Sequence, residues 1–409
     1  MKVEQPMSKP LALDNVPGFK SATVQANIRN WEKPRHDMAL LVADAPASIA
    51  GVFTQSTAAA APVKIDKKHL KASGGIARAI LVNAGVANAC TGKEGKENGL
   101  ANAKQIATAL KVPVNQILVC STGVIGRQLP MEKMEQGISQ ALKEVGKSKP
   151  GDFAKAIMTT DLRPKTASIL VDGLDGVVLA GACKGSGMIA PNMATMLAFI
   201  ATNAAVAPKV LKTALKDVAD RTFNRVTVDG DTSTNDTLFV LASGVTGGAA
   251  IDKASGKRYD KFLEGLHEVA FSLARQIATD GEGATKLVYV RVTGAAKHKD
   301  AVAAARTIAE SPLVKTAMFG NDPNWGRIMM AAGRSGAKLD EEKATVRLCG
   351  KTMYRKGKPE AFNEAELSGL MKAKEVELEL DLGLGKSEAM FMTCDFSYDY
   401  VKINADYTT

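Results

Sequence analysis

Short apolar runs that end in glycine-rich loops and then give way to helical spacing recur through the first part of the chain. This alternation restricts the fold more than any other feature. Ala77 to Asn83 (ARAILVN) is one such run; it ends in NAGVANACTGKEG, and Asn98 to Leu110 then turns helical. Gln116 to Cys120 leads into Ser121-Thr122-Gly123, and after Pro130 the segment MEKMEQGISQALKEVG reads as a helix. Upstream, Met38 to Thr54 (MALLVADAPASIAGVFT) reads as buried strands broken by a Pro-containing turn. Strands that pass through such loops into helices predict a mixed α/β architecture. A chain of 409 residues has room for two or three packed lobes.

The second half carries the same mixture. Phe262, Leu266, Val269, Leu273 and Ile277 recur at helical spacing, and the helix is expected to stop at Asp280-Gly281-Glu282-Gly283. Thr285 to Val292 (TKLVYVRV) reads as a strand. Val376, Leu378, Leu380 and Leu382 alternate with acidic residues, the pattern of a strand with one wet face in an antiparallel pair. Pro312 and the Gly-Asn-Asp-Pro-Asn segment at 320–324 mark a lobe connection.

The formal net charge of +10 would permit an anionic partner, but basic residues are dispersed among acidic ones. The densest cluster, KTMYRKGK at 351–358, has no base-reading motif, and aromatics are only 5%, too few for a stacking platform. The expectation is a solvated basic surface and no nucleic-acid partner. The five cysteines are far apart, none forms a CxxC, and there are four histidines, so zinc spacing is absent and no metal is expected. No apolar span is long enough for a bilayer, and the N-terminal segment lacks a signal core. A cytoplasmic location with no membrane partner is expected.

Three motifs fall short. Gly185-Ser186-Gly187-Met188-Ile189-Ala190 fits GxGxxA, but no acid follows before Asp217 to hold a ribose. Gly385-Lys386-Ser387 resembles the end of a P-loop, yet Leu380 stands where its first glycine belongs. The run DGDTSTND (229–236) has Thr234 and Val240 where a calcium loop needs Gly and Glu. It reads as a hydrogen-bonded turn, either purely structural or bordering an active site.

The segment KGSGMIAPNMATMLAFIATN (184–203) is different in kind. Its apolar half, from Met196 to Ile200, has the pattern of a buried strand, and pattern alone would make Thr195 a β-branched strand residue. A threonine hydroxyl is a weak nucleophile unless it begins a chain, where its own α-amine can act as base. An α-amine with a pKa of ~7.7–8.0 suits that task near neutrality. For an internal Thr195 this requires cleavage of the Ala194–Thr195 bond, by attack of the hydroxyl on the Ala194 carbonyl and hydrolysis of the resulting ester.

KGSGMIAPNMATMLAFIAT resembles the self-cleavage segment of the glutamate N-acetyltransferases, or ornithine acetyltransferases, of arginine biosynthesis. The resemblance spans essentially the whole chain: VPGFK (16–20), AGVFT (50–54), NACTG (88–92), STGVIG (121–126), MTTD (158–161), VDGDTSTND (228–236), DGEGATK (280–286), GNDPNWGR (320–327) and SYDYVKINADYTT (397–409). Val86 and Asn203 stand where many members have Asn and Asp.

The resemblance implies an αββα sandwich with a C-terminal α+β lobe over about 295–409. It also implies division into an α chain, 1–194, and a β chain, 195–409, assembled as two of each. Thr195 is then the nucleophile, Thr122 and Gly123 the oxyanion pair, and Thr159 or Thr160, Lys184, Thr195, Glu282, Asn404 and Thr409 the substrate contacts. The implied reaction passes acetyl from N-acetylornithine to glutamate through an acetyl-enzyme. No cofactor is implied; acetyl-CoA enters, in some members, only as a second acetyl donor. The alternative on the same fold is an amidase or aminopeptidase, with water in place of glutamate.

Overall fold

A computed structural model describes residues 11–190 and 196–406. Ala194, Thr195 and Thr409, which the sequence assigns to the site, lie outside the described residues.

The larger sheet has eight strands: β1 (Phe19–Val24), β2 (Met38–Phe53), β3 (Ile76–Val86), β4 (Ile117–Val124), β5 (Lys165–Leu170), β6 (Val178–Lys184), β7 (Leu197–Thr202) and β8 (Thr237–Ala242). Their order is β4-β3-β2-β8-β7-β6-β5, with β1 also on β2. The pairs β3–β4 and β7–β8 are parallel and the others antiparallel. The expectation of two strands broken at a Pro-containing turn is corrected: β2 is continuous through Pro46. Its register with β3 shifts between Val42 and Ala47, and proline, which has no N–H to donate, is tolerated at such an interruption. The shift lets one strand serve two halves, since Met38 to Ala43 pair with β1 and Ser48 to Phe53 with β8.

Strand alternation then sorts side chains into three cores. Leu41, Ile80 and Leu118 meet Ala180, Phe199 and Phe239 between the halves. The neighbouring residues Leu40, Leu81 and Val119 face helices α1 (Ala61–Ser73), α2 (Gly92–Leu110) and α3 (Met131–Glu144) through Ile65, Ile106 and Ile138. On the far side, Leu179, Ile200 and Val240 face Leu211, Leu266 and Leu273. After the short α4 (Asp152–Ala156), these belong to α5 (Pro208–Arg221) and α6 (Lys257–Thr279). The result is the expected αββα sandwich. Helix α2 begins at Gly92, six residues before the sequence reading; Gly95 lies so close to Thr91 and Asn88 that a Cβ would overlap them.

The smaller sheet comprises β9 (Leu287–Ala295), β10 (Thr345–Leu348), β11 (Lys351–Arg355), β12 (Lys358–Pro359), β13 (Glu375–Asp381) and β14 (Ser387–Cys394), in the order β12-β11-β10-β13-β9-β14. Strand β13 has its wet acidic face, but it is central, antiparallel to β10 and parallel to β9. Helices α7 (His298–Ala309), α8 (Pro312–Gly320), α9 (Trp325–Gly333) and α10 (Glu364–Leu370) pack on this sheet, and α11 (Tyr398–Asp406) follows β14. Pro312 and 320–324 are therefore helix punctuation within one lobe, not a connection between lobes. Ser311 caps α8 by accepting from Val314 N, Asn321 takes the left-handed position that ends it, and Asn324 caps α9. Leu287, Met392 and Cys394 pack into the α5–α6 core, which joins the two sheets. Among the described residues no helix is long and apolar enough to cross a membrane.

Candidate active site

Strand β4 is an edge strand, and α1 covers its outer groups. Asp66 Oδ1 accepts from Val119 N at 2.9 Å, and His69 Nδ1 lies 2.7 Å from Ile117 O. So held, β4 delivers Ser121-Thr122-Gly123 at its C-terminal end. Ser121 Oγ donates to Asn83 Oδ1 on β3 at 2.6 Å. Gly123 has φ +129°, and a Cβ there would overlap the Gly85 backbone, so only glycine fits.

Beside this loop is a cavity of about 370 Å³. Thr122, Gly123, Thr159, Thr160, Lys184, Glu282 and Asn404 all line it. These come from β4, the loop after α4, the end of β6, the turn after α6 and helix α11, spread over most of the sequence. Both Thr159 and Thr160 reach the cavity, where the sequence left a choice between them. Gly187 and Met188 line it on the chain entering 191–195. On the chain leaving that segment, Met196 N donates to Asp236, next to the cavity-lining Asn235. Val86 and Asn203 do not line the cavity. Val86 packs against the α1–α3 layer, and Asn203 clasps a turn by accepting from Val178 N and donating to Gly176 O.

The charges are arranged in two shells. Lys184 is buried, and burial lowers its pKa despite the pull of Asp161 and Glu282. Glu282 faces it across the cavity, oriented by Asn404 Nδ2 at 3.0 Å; a side chain at Gly187 would collide with its carboxylate. Beneath lies a fully buried ion network. Lys165 Nζ donates to Asp161 Oδ1 at 2.6 Å and Asp280 Oδ2 at 2.5 Å. Burial pushes Asp161 up, but Lys184, Lys165 and the Gly185 N–H outweigh it and hold its pKa at about 2.

The sequence reading missed several lining residues, chiefly Asp229, Asp231, Ser233, Asn235 and Tyr400. The signal for the first four was the polar run DGDTSTND, which is at once a hydrogen-bonded turn and a wall of the cavity. Asp229 accepts from Met188 N at 2.6 Å and Ile189 N at 2.8 Å, and burial raises its pKa to about 6. Burial likewise pushes the Tyr400 hydroxyl up, reinforced by Asp229, Asp231 and Glu282. The cavity thus presents one desolvated ammonium opposite several carboxyls. It suits a small ligand that carries both a carboxylate and an ammonium.

Residues 20–409 match the ArgJ family. The "arginine biosynthesis bifunctional protein ArgJ" of Nitratidesulfovibrio vulgaris is 44% identical over 393 residues, covering 95% of this chain and 98% of its own. The protein of the same name from Symbiobacterium thermophilum is also 44% identical, with 96% and 97% covered. Among solved structures, the arginine biosynthesis bifunctional protein ArgJ of Bacillus halodurans aligns with a TM-score of 0.50 at 40% identity. That alignment covers 51% of this chain and 98% of the solved one. With a match this long and a sandwich that gathers the motif residues into one cavity, the chain belongs to the ArgJ family and is an acyltransferase of arginine biosynthesis.

Proposed function

We propose that the protein transfers acetyl from N-acetylornithine to glutamate on Thr195, freed as a chain terminus by self-cleavage of Ala194–Thr195. The observation that carries this reading is the convergence of Thr122, Gly123, Thr159, Thr160, Lys184, Glu282 and Asn404 on one cavity, which Gly187 and Met188 line upstream of 191–195 and whose wall residue Asn235 adjoins Asp236, the partner of Met196 N just downstream. Lys184 takes the amino-acid carboxylate; its desolvated ammonium is drawn by Asp161, Glu282 and Asp236 but makes no ion pair within 4 Å among the described residues. Glu282 takes the side-chain ammonium of ornithine.

Thr195 Oγ attacks the acetyl carbonyl while its α-amine accepts the hydroxyl proton. Thr122 Oγ1 and the Gly123 N–H donate to the oxyanion; each such donor contributes ~2.7–4 kcal/mol to the transition state. Collapse breaks the amide bond, the α-amine returns the proton to the leaving nitrogen, and ornithine departs from an acetyl ester. Glutamate then attacks that ester through its neutral α-amine, and the same groups run the sequence in reverse. Every group used belongs to the chain or a substrate, so no cofactor is needed, and acetyl-CoA would serve as a second donor to the same threonine. The fragments 1–194 and 195–409 stay associated, two of each. Further support comes from the Bacillus halodurans chain, which corresponds almost whole to half of this one, as a family member divided near its middle would.

The test is intact mass and N-terminal sequencing joined to an exchange assay. Wild type is expected to yield two fragments, the second starting at Thr195, and to move acetyl from N-acetylornithine to glutamate; Thr195→Ala is expected to stay whole and inert. An active, uncut 43.1 kDa chain would sink the mechanism. Hydrolysis of N-acetylornithine without transfer would replace it with an amidase.

A further inference from the structure

We infer that Asn235 and Asp236, adjacent in the chain, are positioning residues that lock the two halves of the site together. Their side chains go opposite ways, as neighbours in extended chain do. Asn235 Nδ2 donates to Ala87 O at 2.7 Å and Ser121 O at 2.8 Å, so one amide proton grips the residue that precedes the Thr122–Gly123 pair in β4 and the other the chain just past β3, which bonds to Val124 beyond the pair. Its Oδ1 accepts from Thr234 Oγ1 at 2.6 Å, and its backbone N–H is held by Ser233 Oγ. Asp236 Oδ1 accepts from Met196 N at 3.1 Å, one residue before Leu197 and Thr237 begin the β7–β8 ladder. Asp236 is itself pinned through its carbonyl by Thr54 N at 3.0 Å.

Both side chains are buried. Two consecutive residues of one turn therefore fix the end of β4 that carries the Thr122–Gly123 pair on one side and the start of β7 on the other. The inference rests on the proposed roles of Thr122, Gly123 and Thr195. If Ala194–Thr195 is cut, Asn235 also becomes a bond across the cut, since Ala87 and Ser121 lie in the first fragment and Asn235 in the second. Misplacement of reacting groups by about 1 Å is enough to cost ~10²-fold in rate.

The experiment measures kcat and KM for N-acetylornithine, cleavage by mass, and Tm, in Asn235→Ala, Asn235→Asp, Asp236→Ala and Asp236→Asn. Asn235→Asp keeps the shape but sets a carboxylate against two carbonyls. Both Asn235 variants are expected to lose ~10²-fold in kcat with KM within about threefold, because the oxyanion geometry moves and the Lys184 and Glu282 contacts do not. Asp236→Ala is expected to slow both cleavage and transfer. Asp236→Asn retains an acceptor for Met196 N–H; because burial pushes the Asp236 carboxyl well up, this neutral mimic is expected to restore both. If Asn235→Asp does not fold, Asn235→Ser, which keeps one donor, carries the test with an intermediate loss. A fall in Tm with kcat per folded enzyme unchanged would overturn the inference, as would equal loss in Asp236→Asn and Asp236→Ala. Failure of wild type to cut or transfer would instead overturn the underlying reading, so the two failures are separable.

Discussion

At the scale of single residues, Lys165 is the most exposed to error by substitution. Its side chain is wholly buried between Asp161 and Asp280, and these carboxylates hold its pKa above the ordinary value against the opposing effect of burial. Lys165→Met would remove the buried cation shared by the two carboxylates, leaving Asp161 with Lys184 nearby and Asp280 with only the half-exposed Arg163, 3.6 Å away; loss of one partner from a buried pair costs ~3–5 kcal/mol. The variant is expected to lose about that much in urea unfolding at pH 7; a change under ~1 kcal/mol would mean that Lys184, Arg163 or water compensates fully. The pH dependence has a definite sign. Asp161 is depressed to about 2 from an unfolded value of ~3.9, so its contribution is present above pH ~4 and fades as pH falls toward 2. The sequence could not reveal this network. Asp161 and Lys165 are four apart but not on a helix, and Asp280 lies 115 residues from Lys165. By contrast, Thr122, Lys184 and Glu282 each sit in a motif that the family resemblance carries, and the fold brings all three to one cavity.

Among the elements, the join between α1 and β4 decides where the Thr122–Gly123 pair stands. Asp66 is fully buried and accepts from Val119 N, and burial raises its pKa well above the carboxylate range. A carboxyl that is neutral when folded and ionised when unfolded loses stability as pH rises above the unfolded value of ~3.9, until the folded group also ionises. Asp66→Asn keeps the acceptor and removes that titration, so wild type should weaken between pH 5 and the folded pKa while Asp66→Asn does not. Asp66→Ala, which strands the Val119 N–H, should cost ~1–3 kcal/mol. Denaturant midpoints across this pH range check both; parallel pH curves for wild type and Asp66→Asn would show that Asp66 is ionised in the fold.

Elements with a clean period were readable from sequence. Helix α6 and strand β13 appear where periodicity puts them, because one apolar face dominates each, and β7 appears where its continuous apolar run puts it, buried on both faces. What defeated the reading was local chemistry with two uses. Proline interrupts a strand or sits in a bulge, as Pro46 does in β2; Pro312 and Asn321 mark a linker or cap a helix. Only the tertiary setting selects between these.

For the whole molecule, the proposed cut has a consequence set by sheet topology. It falls between β6 and β7, so the first fragment holds β1 to β6 and the second begins with β7 and β8. Yet β7 and β8 lie in the interior of the larger sheet, between β6 and β2. Six residue pairs join β7 to β6 and six join β8 to β2. Between the sheet halves, Phe199 and Phe239 of the second fragment pack with Phe153 of the first, and Leu179 of the first packs with Leu266 and Leu273 of the second. Neither fragment can bury these faces alone, so cutting one peptide bond removes a covalent link but no core. The cleaved protein is therefore expected to elute as one species in native size-exclusion chromatography and to unfold in urea in a single transition shared by both fragments. Mixing separately refolded fragments should regain little, because each lacks the strands that the other inserts into the same sheet. Separation of the fragments under native conditions would contradict this division of the fold, and would place the cut outside the interior strands.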